Sequence, residues 1–213
     1  MTYTDLIWDF NGTLYDDIQA CLDSIDCLLV RYGKQPLGSR ERYCEVFGFP
    51  IETYYRRAGF DLDAEPFPKI AHEWMDLYLV NSKNSGLYPG AGDALGAFRS
   101  MGLRQTLLSA TELLMLESQV EALGIGGYFD EILGRGDIYA YSKTGLGRMW
   151  REKNPDRRAL FIGDTEHDAE TADAMGADCV LIAAGHQSRQ RLLATGKPVL
   201  DSIRELVPFV AAT

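Results

Sequence analysis

No run of roughly 18 consecutive apolar residues occurs in the 213-residue chain, so no segment reads as a bilayer-spanning helix. Cationic side chains are in short supply. The 21 Lys and Arg stand against 31 Asp and Glu, giving a formal net charge of -10. An acidic surface offers no positive field to nucleic acid or to an anionic membrane, and neither is expected as a partner. Cys21, Cys27, Cys44 and Cys179 form no C-x-x-C pair, so the spacing indicates neither a zinc site nor a redox motif, and reduced, packed thiols are expected. Internal repeats and low-complexity tracts are absent. The amino terminus lacks the basic and apolar regions of a secretory leader, and a cytoplasmic location is the expectation. What remains is a chain long enough to bury a substantial core, and an acidic protein can still bind a small anion whose charge a metal neutralises.

The apolar pattern changes period along the chain. Leu6, Ile7 and Trp8 form a short run typical of a buried strand. From Ile18 the spacing turns helical through Leu22, Ile25, Leu28 and Leu29, and further helices are expected over 42–47, 51–57 and 70–80, punctuated by Gly48-Phe49-Pro50, Gly59 and the Pro66/Pro68 segment. The stretch Gly86-Leu87-Tyr88-Pro89-Gly90 marks the exit from this helical part. Strands are then expected at 105–108, 131–133, 159–162, 179–182 and, more weakly, 198–200, alternating with helices near 93–100, 112–123, 143–152, 167–175 and from 202 onward. This alternation predicts an α/β fold, a Rossmann-like doubly wound parallel sheet with an inserted helical cap. The expected division is a core of residues 1–14 and 89–213 with a cap over 15–88.

Polar residues capable of chemistry fall where strands end. Asp9 follows the first strand and opens Asp9-Phe10-Asn11-Gly12-Thr13-Leu14, placing a carboxylate where open α/β sheets bind ligands. Asp9 is the candidate nucleophile, attacking phosphorus, while the tight turn at Gly12 and Thr13 presents N–H groups and a hydroxyl to phosphoryl oxygens. Ser109 and Ala110 follow the strand at 105–108, Lys143 opens a helix in Ser142-Lys143-Thr144-Gly145, and Phe161-Ile162-Gly163-Asp164 runs into a helix that carries Asp168. Each has an ordinary explanation when taken alone: Ser109, Thr111 or Asp164 as a helix cap, Lys143 as a solvated surface cation.

In this order the four segments resemble motifs I to IV of the haloacid dehalogenase superfamily, and a helical insertion between the first two resembles the phosphoglycolate phosphatase-like group. The resemblance implies a phosphatase that forms an aspartyl-phosphate on Asp9, with Ser109 and Lys143 stabilising the phosphoryl group and Mg²⁺ held by Asp9, the backbone of Asn11, Asp164 and Asp168. Asp168 could equally orient a metal-bound water or Lys143. The implied partner is a small phosphorylated substrate, and the cap arginines Arg42 and Arg56 are candidates for gripping it. Oligomeric state is not legible.

Motif I departs from the family pattern at one position. Asn11 stands where the phosphatases carry a general acid/base aspartate, and an amide cannot deliver a proton to a leaving alkoxide. General acid catalysis contributes about 10² to 10⁴-fold, so substrates with good leaving groups are expected to be favoured. Asp16, Asp17 and His167 are the nearby replacement donors, with His186 a further imidazole. Restoring the acid by Asn11→Asp is expected to accelerate alkyl phosphate hydrolysis. The alternatives are a catalytically degraded member that binds a phosphometabolite or a protein partner, a phosphonatase that would need Lys34 as its amine, and a dehalogenase, which would not need the Gly163-Asp164 to Asp168 pattern.

Overall fold

The computed structural model describes residues 2–136 and 142–213. Six parallel strands make the central sheet, in the order β5 (Glu131–Arg135), β4 (Arg104–Glu112), β1 (Asp5–Trp8), β6 (Ala159–Gly163), β7 (Asp178–Ile182) and β8 (Val199–Leu200). Trp8 pairs with Leu107 on one side and Ile162 on the other, so the chain leaves β1, β4 and β6 side by side at one edge of the sheet. That edge carries Asp9.

Side chains alternate across a strand, and the two faces bury separate clusters. Leu6, Trp8, Leu107 and Ile162 face α5 (Ala91–Ser100), α6 (Leu113–Ala122) and α10 (Leu206–Ala212) through Leu95, Phe98, Leu116 and Val210. Ile7, Leu108, Phe161 and Leu181 face α7 (Lys143–Lys153), α8 (Glu166–Ala174) and α9 (Arg189–Ala194) through Leu146, Trp150, Ala172 and Leu192. Helices on both faces are what a parallel sheet requires, because neither face can be left to water.

A third cluster belongs to α1 (Ile18–Arg31), α2 (Arg40–Val46), α3 (Ile51–Ala58) and α4 (Phe67–Asn81), with Ile25, Leu28, Leu29, Tyr43, Tyr54 and Ile70 at its centre. The chain enters and leaves this helical layer through β2 (Tyr15–Asp16) and β3 (Gly86–Leu87), which pair antiparallel. Two-residue strands are too short for an apolar period, and neither is expected from sequence; α9, only six residues long, is missed for the same reason. The strand expected to stop at 108 continues as β4 to Glu112, with an irregular register between Leu108 and Glu112. Glu112 then caps α6 by accepting from the N–H groups of Leu114 and Met115, so neither Ser109 nor Thr111 is the helix cap.

An arginine of the core helps dock the layer. Arg191 of α9 donates to the carbonyl oxygens of Cys44 (3.2 Å) and Phe47 at the carboxyl end of α2, and pairs with Glu166 at the start of α8. A guanidinium fits there because helix carboxyl ends leave carbonyls unpaired and carry partial negative charge. Gln187 bridges Glu166 N–H (2.7 Å) and the Phe47 carbonyl (3.5 Å), and the Phe49 ring lies 4.7 Å from that of His167.

The strands bearing the site are tied by a buried polar contact as well as by packing. Trp8 Nε1 donates to Gln105 Oε1 at 3.0 Å, while Gln105 Nε2 donates to the Leu95 carbonyl at 3.0 Å. Gln105→Leu strands both groups in an apolar interior, and the expected loss is about 1–3 kcal/mol, read as a lower urea midpoint with an unchanged m-value. An unchanged midpoint would show that the pair contributes nothing net.

Candidate active site

Asp9 sits on the last turn out of β1, its N–H held by the Ile162 carbonyl at 2.8 Å. One carboxylate oxygen accepts from Lys143 Nζ, and the other lies 3.2 Å from Thr13 Oγ1. Thr13 is also 2.9 Å from Asp164 Oδ1, so one hydroxyl faces oxygens of two carboxylates although it has a single proton to give. Lys143 reaches the site because Ser142 caps α7, accepting from Gly145 N–H, and the helix aims its first side chain at the strand ends. Its Nζ lies 2.5 Å from Asp168 Oδ1.

Asp168 is fixed by the start of α8. Thr165 caps that helix and Asp168 answers in a capping box: Oδ2 accepts from the N–H groups of Thr165 (2.9 Å) and Asp164 (3.0 Å) and from Thr165 Oγ1 (2.7 Å). Both Asp168 oxygens are therefore taken, one by Lys143 and one by the box. Of the two roles open from sequence, direct metal ligation or orientation of Lys143, these contacts match the second. Asp164 is not the helix cap; its Oδ2 accepts from His186 N–H at 2.6 Å, and its carboxylate is fully buried.

Glycine is required where these backbones close on one another. Gly12 has φ +77°, and a Cβ there would overlap the Asp164 carboxylate and the His186 ring. A Cβ on Gly185 would overlap Asp164, and one on Gly163 would overlap Asp168. The acidic side chains occupy space that any other residue would fill.

Asn11 turns its side chain toward a second group. Nδ2 donates to Asp17 Oδ2 (2.7 Å) and Tyr78 OH (3.1 Å), and Oδ1 accepts from Thr111 Oγ1 (2.8 Å), which in turn is 3.1 Å from Ser109 Oγ. Asp17 also accepts from Tyr78 OH at 2.8 Å, and its Oδ1, with no linear hydrogen bond among the described residues, lies 3.3 Å from His186 Nε2. Tyr43 OH contacts the other ring nitrogen of His186 at 2.9 Å. Among the sequence-derived replacement donors, Asp16 is exposed, and His167 stacks on Phe49 and pairs with Glu170; only Asp17 is buried beside Asn11. The parts that sequence reasoning did not assign are Tyr43 and Tyr78, whose helical spacing is that of ordinary core aromatics, and the contact of His186 with Asp17.

The cap arginines do not come to this cluster. Arg42 pairs with Glu45 (3.1 Å) and Arg56 with Asp63 (2.9 Å), both on exposed surface where water and a local carboxylate satisfy them. Lys34 is likewise occupied, 3.4 Å from Glu65 and 5.7 Å from the Phe60 ring centroid. Ala110, the residue after Ser109 in β4, brings only a methyl side chain.

Electrostatics follow from burial. Asp9 is pushed well above the usual carboxylate range by desolvation, with Asp168 and Asp164 adding repulsion and Lys143 offsetting part of it; Asp164 is raised for the same first reason. For Asp168 burial is outweighed by Lys143, and the carboxyl is held low. Burial opposes charge on Asp17 and on His186 too, but each outweighs it for the other: Asp17 is held low and His186 is pushed up to about 9. With all four buried carboxyl groups ionised they face two cations, and carboxylate oxygens of Asp9, Asp164 and Asp168 lie within 4.8 Å of one another. The shortfall is two positive charges, all-oxygen in its donors, and a single hard divalent cation fits it.

The carboxylates at the ends of β1 and β6, with a lysine from the start of α7, define a ligand site at the carboxyl edge of a parallel α/β sheet. Residues 6–182 match the family model of haloacid dehalogenase-like hydrolases, and the chain belongs to that family. It is 26% identical over 215 residues to a phosphoglycolate phosphatase of Pseudomonas fluorescens, an alignment covering 95% of this chain and 78% of that one. In fold it is similar to a haloacid dehalogenase-like hydrolase from Streptococcus pneumoniae (TM-score 0.84, 17% identity, 98% and 99% of the two chains) and to protein tyrosine kinase A of Mycobacterium tuberculosis (TM-score 0.80, 21% identity, 97% of each).

The His186–Asp17 contact predicts a pH dependence. The folded His186 value lies near 9 and its ordinary value is 6.5, so its stabilising contribution is complete below about 6.5 and is lost as pH rises through about 9. Urea midpoints measured without divalent cation are expected to fall across that window in the wild type and to fall less in His186→Gln. Parallel pH profiles for the two proteins would show that the imidazole carries no charge there.

Proposed function

We propose that this chain is a Mg²⁺-dependent phosphatase of small phosphorylated metabolites that works through an aspartyl-phosphate on Asp9. The observation that carries the reading is the pair of contacts on that carboxylate, Lys143 on one oxygen and Thr13, shared with Asp164, on the other. The phosphoglycolate phosphatase relatives support the reaction class. Asp9, Asp164 and the Asn11 carbonyl would hold the ion, which when bound offsets the charge of the phosphoryl oxygens.

The chain's own residues account for the remaining steps. An Asp9 oxygen attacks phosphorus, the ester P–O bond breaks, and its electron pair leaves with the alkoxide. Lys143 favours the ionised form of Asp9 against the burial that opposes it and, with Thr13 and Ser109, balances the transferring group. Water then attacks phosphorus, releasing inorganic phosphate and the Asp9 carboxylate, while the proton it sheds balances the one the alkoxide gains from solvent. The helical layer over the strand ends acts as a cap that excludes bulk water and shapes the leaving-group side. Both Asn11 amide hydrogens are already donated, to Asp17 and Tyr78, so the leaving group receives no proton from position 11. Phosphoglycolate, the substrate named for the relatives, is an alkyl phosphate, and the site described here is better suited to aryl phosphates, acyl phosphates or phosphoanhydrides.

The test is a phosphate panel with Mg²⁺ and with chelator, on wild type and Asp9→Asn. Wild type with Mg²⁺ is expected to hydrolyse aryl phosphate above background, with kcat/KM at least about 10²-fold over an alkyl phosphate of similar shape. Asp9→Asn and the chelated enzyme should fall to background. Equal rates for wild type and Asp9→Asn would remove the catalytic claim and leave a binding protein.

A further inference from the structure

Asp17 occupies the helix-cap position of α1 and yet caps nothing: its carboxylate turns inward, 1% exposed, instead of bonding the first N–H groups of the helix. Every polar neighbour that it meets there is a donor. Oδ2 receives Asn11 Nδ2 (2.7 Å), Tyr78 OH (2.8 Å) and Cys21 Sγ (3.6 Å), and Oδ1 faces His186 Nε2 (3.3 Å). A carboxylate accepts and does not donate, so the residue at position 11 must offer hydrogens on that side. On its other side position 11 must accept, because Thr111 Oγ1 approaches Oδ1 at 2.8 Å. Asparagine offers a donor end and an acceptor end at any pH; an ionised aspartate would set two carboxylates face to face, and a protonated one would bridge them only by keeping its proton in a buried site.

We propose that Asn11 and Asp17 are one reciprocal unit, in which Asp17 is a positioning residue that fixes the Asn11 amide and the His186 ring across the motif I turn, and Asn11 is the complement that this carboxylate demands. The consequence reaches Asp164, whose Oδ2 is held by His186 N–H. Position 11 is then not a vacated acid, and the sign expected from sequence for Asn11→Asp is reversed. The catalytic half of this inference rests on the phosphatase reading; the pairing itself does not.

The experiment is a double-mutant cycle of Asn11→Asp, Asp17→Asn and the exchange of both, read first as thermal midpoints without metal and then as kcat and KM on an aryl and an alkyl phosphate with Mg²⁺. Asn11→Asp is expected to lower Tm by more than about 5 °C and Asp17→Asn to lower it as well. The exchange retains one amide against one carboxylate and should recover most of the loss, with kcat at least about tenfold above Asn11→Asp and little change in KM. If Asn11→Asp does not fold, folding of the exchanged protein is the same result. Additive Tm losses, failure of the exchange to fold, or an Asn11→Asp enzyme with unchanged Tm and faster alkyl phosphate hydrolysis would each overturn the proposal. Absence of activity in all four proteins would sink the phosphatase reading and leave the Tm cycle to decide the pairing.

Discussion

The buried ammonium of Lys143 is the contact on which the site depends. It is the only lysine side chain touching Asp9 and Asp168 among the described residues, and it reaches them from a helix start that Ser142 fixes. Removing a charge from a buried pair costs more than the pair contributes, since the partner is left without solvent or counter-ion. Here two carboxylates would be left. The resistance of Asp9 to ionisation shows how narrow the balance already is: burial and the neighbouring acids outweigh the lysine. A site so short of positive charge is the setting in which the proposed cation would be needed to offset an anionic group.

The second constraint is space. The Asp164 carboxylate lies against both Gly12 and Gly185, and Asp168 lies against Gly163, so the acidic groups and three glycine backbones are packed as one body. Close packing of this kind turns positions into roles. Asp168 cannot rotate toward a ligand without leaving the capping box of α8, and Asp164 cannot move without displacing the His186 backbone. The helix start, an ordinary local motif, is thus used to aim a functional charge.

Much of this was legible because it is local. A strand-end aspartate, a turn glycine and a helix-opening lysine each announce themselves within a few residues, and a parallel sheet brings such ends together wherever it forms. The alternation of periods from Arg104 onward, and the helical run after Ile18, had the same clarity. What sequence left dark is tertiary. Nothing in the spacing of Asp17, Tyr43, Tyr78 and His186 relates them, and the two tyrosines read as core aromatics until their hydroxyls are seen to meet Asp17 and His186. Arg42 and Arg56 failed for the opposite reason: charge on a helix face suggests binding, but a local carboxylate already satisfies each.

Those tyrosines join the helical layer to the chemistry. Tyr43 from α2 and Tyr78 from α4 supply hydroxyls to a unit whose other members are Asp17, at the start of α1, and Asn11, His186 and Thr111, at the sheet edge. The layer is held in this position by backbone contacts as well: Arg191 on the α2 carbonyls, Cys44 Sγ toward the Gly185 carbonyl at 3.7 Å, and Arg40 of α2 on the Ala184 carbonyl. Displacing the layer would therefore break the contacts of Tyr43 with His186 and of Asn11 with Tyr78 and Asp17. In this chain the polar unit around position 11 is complete only when both parts of the molecule are in place, so the helical layer contributes to the order of the site and not merely to its enclosure.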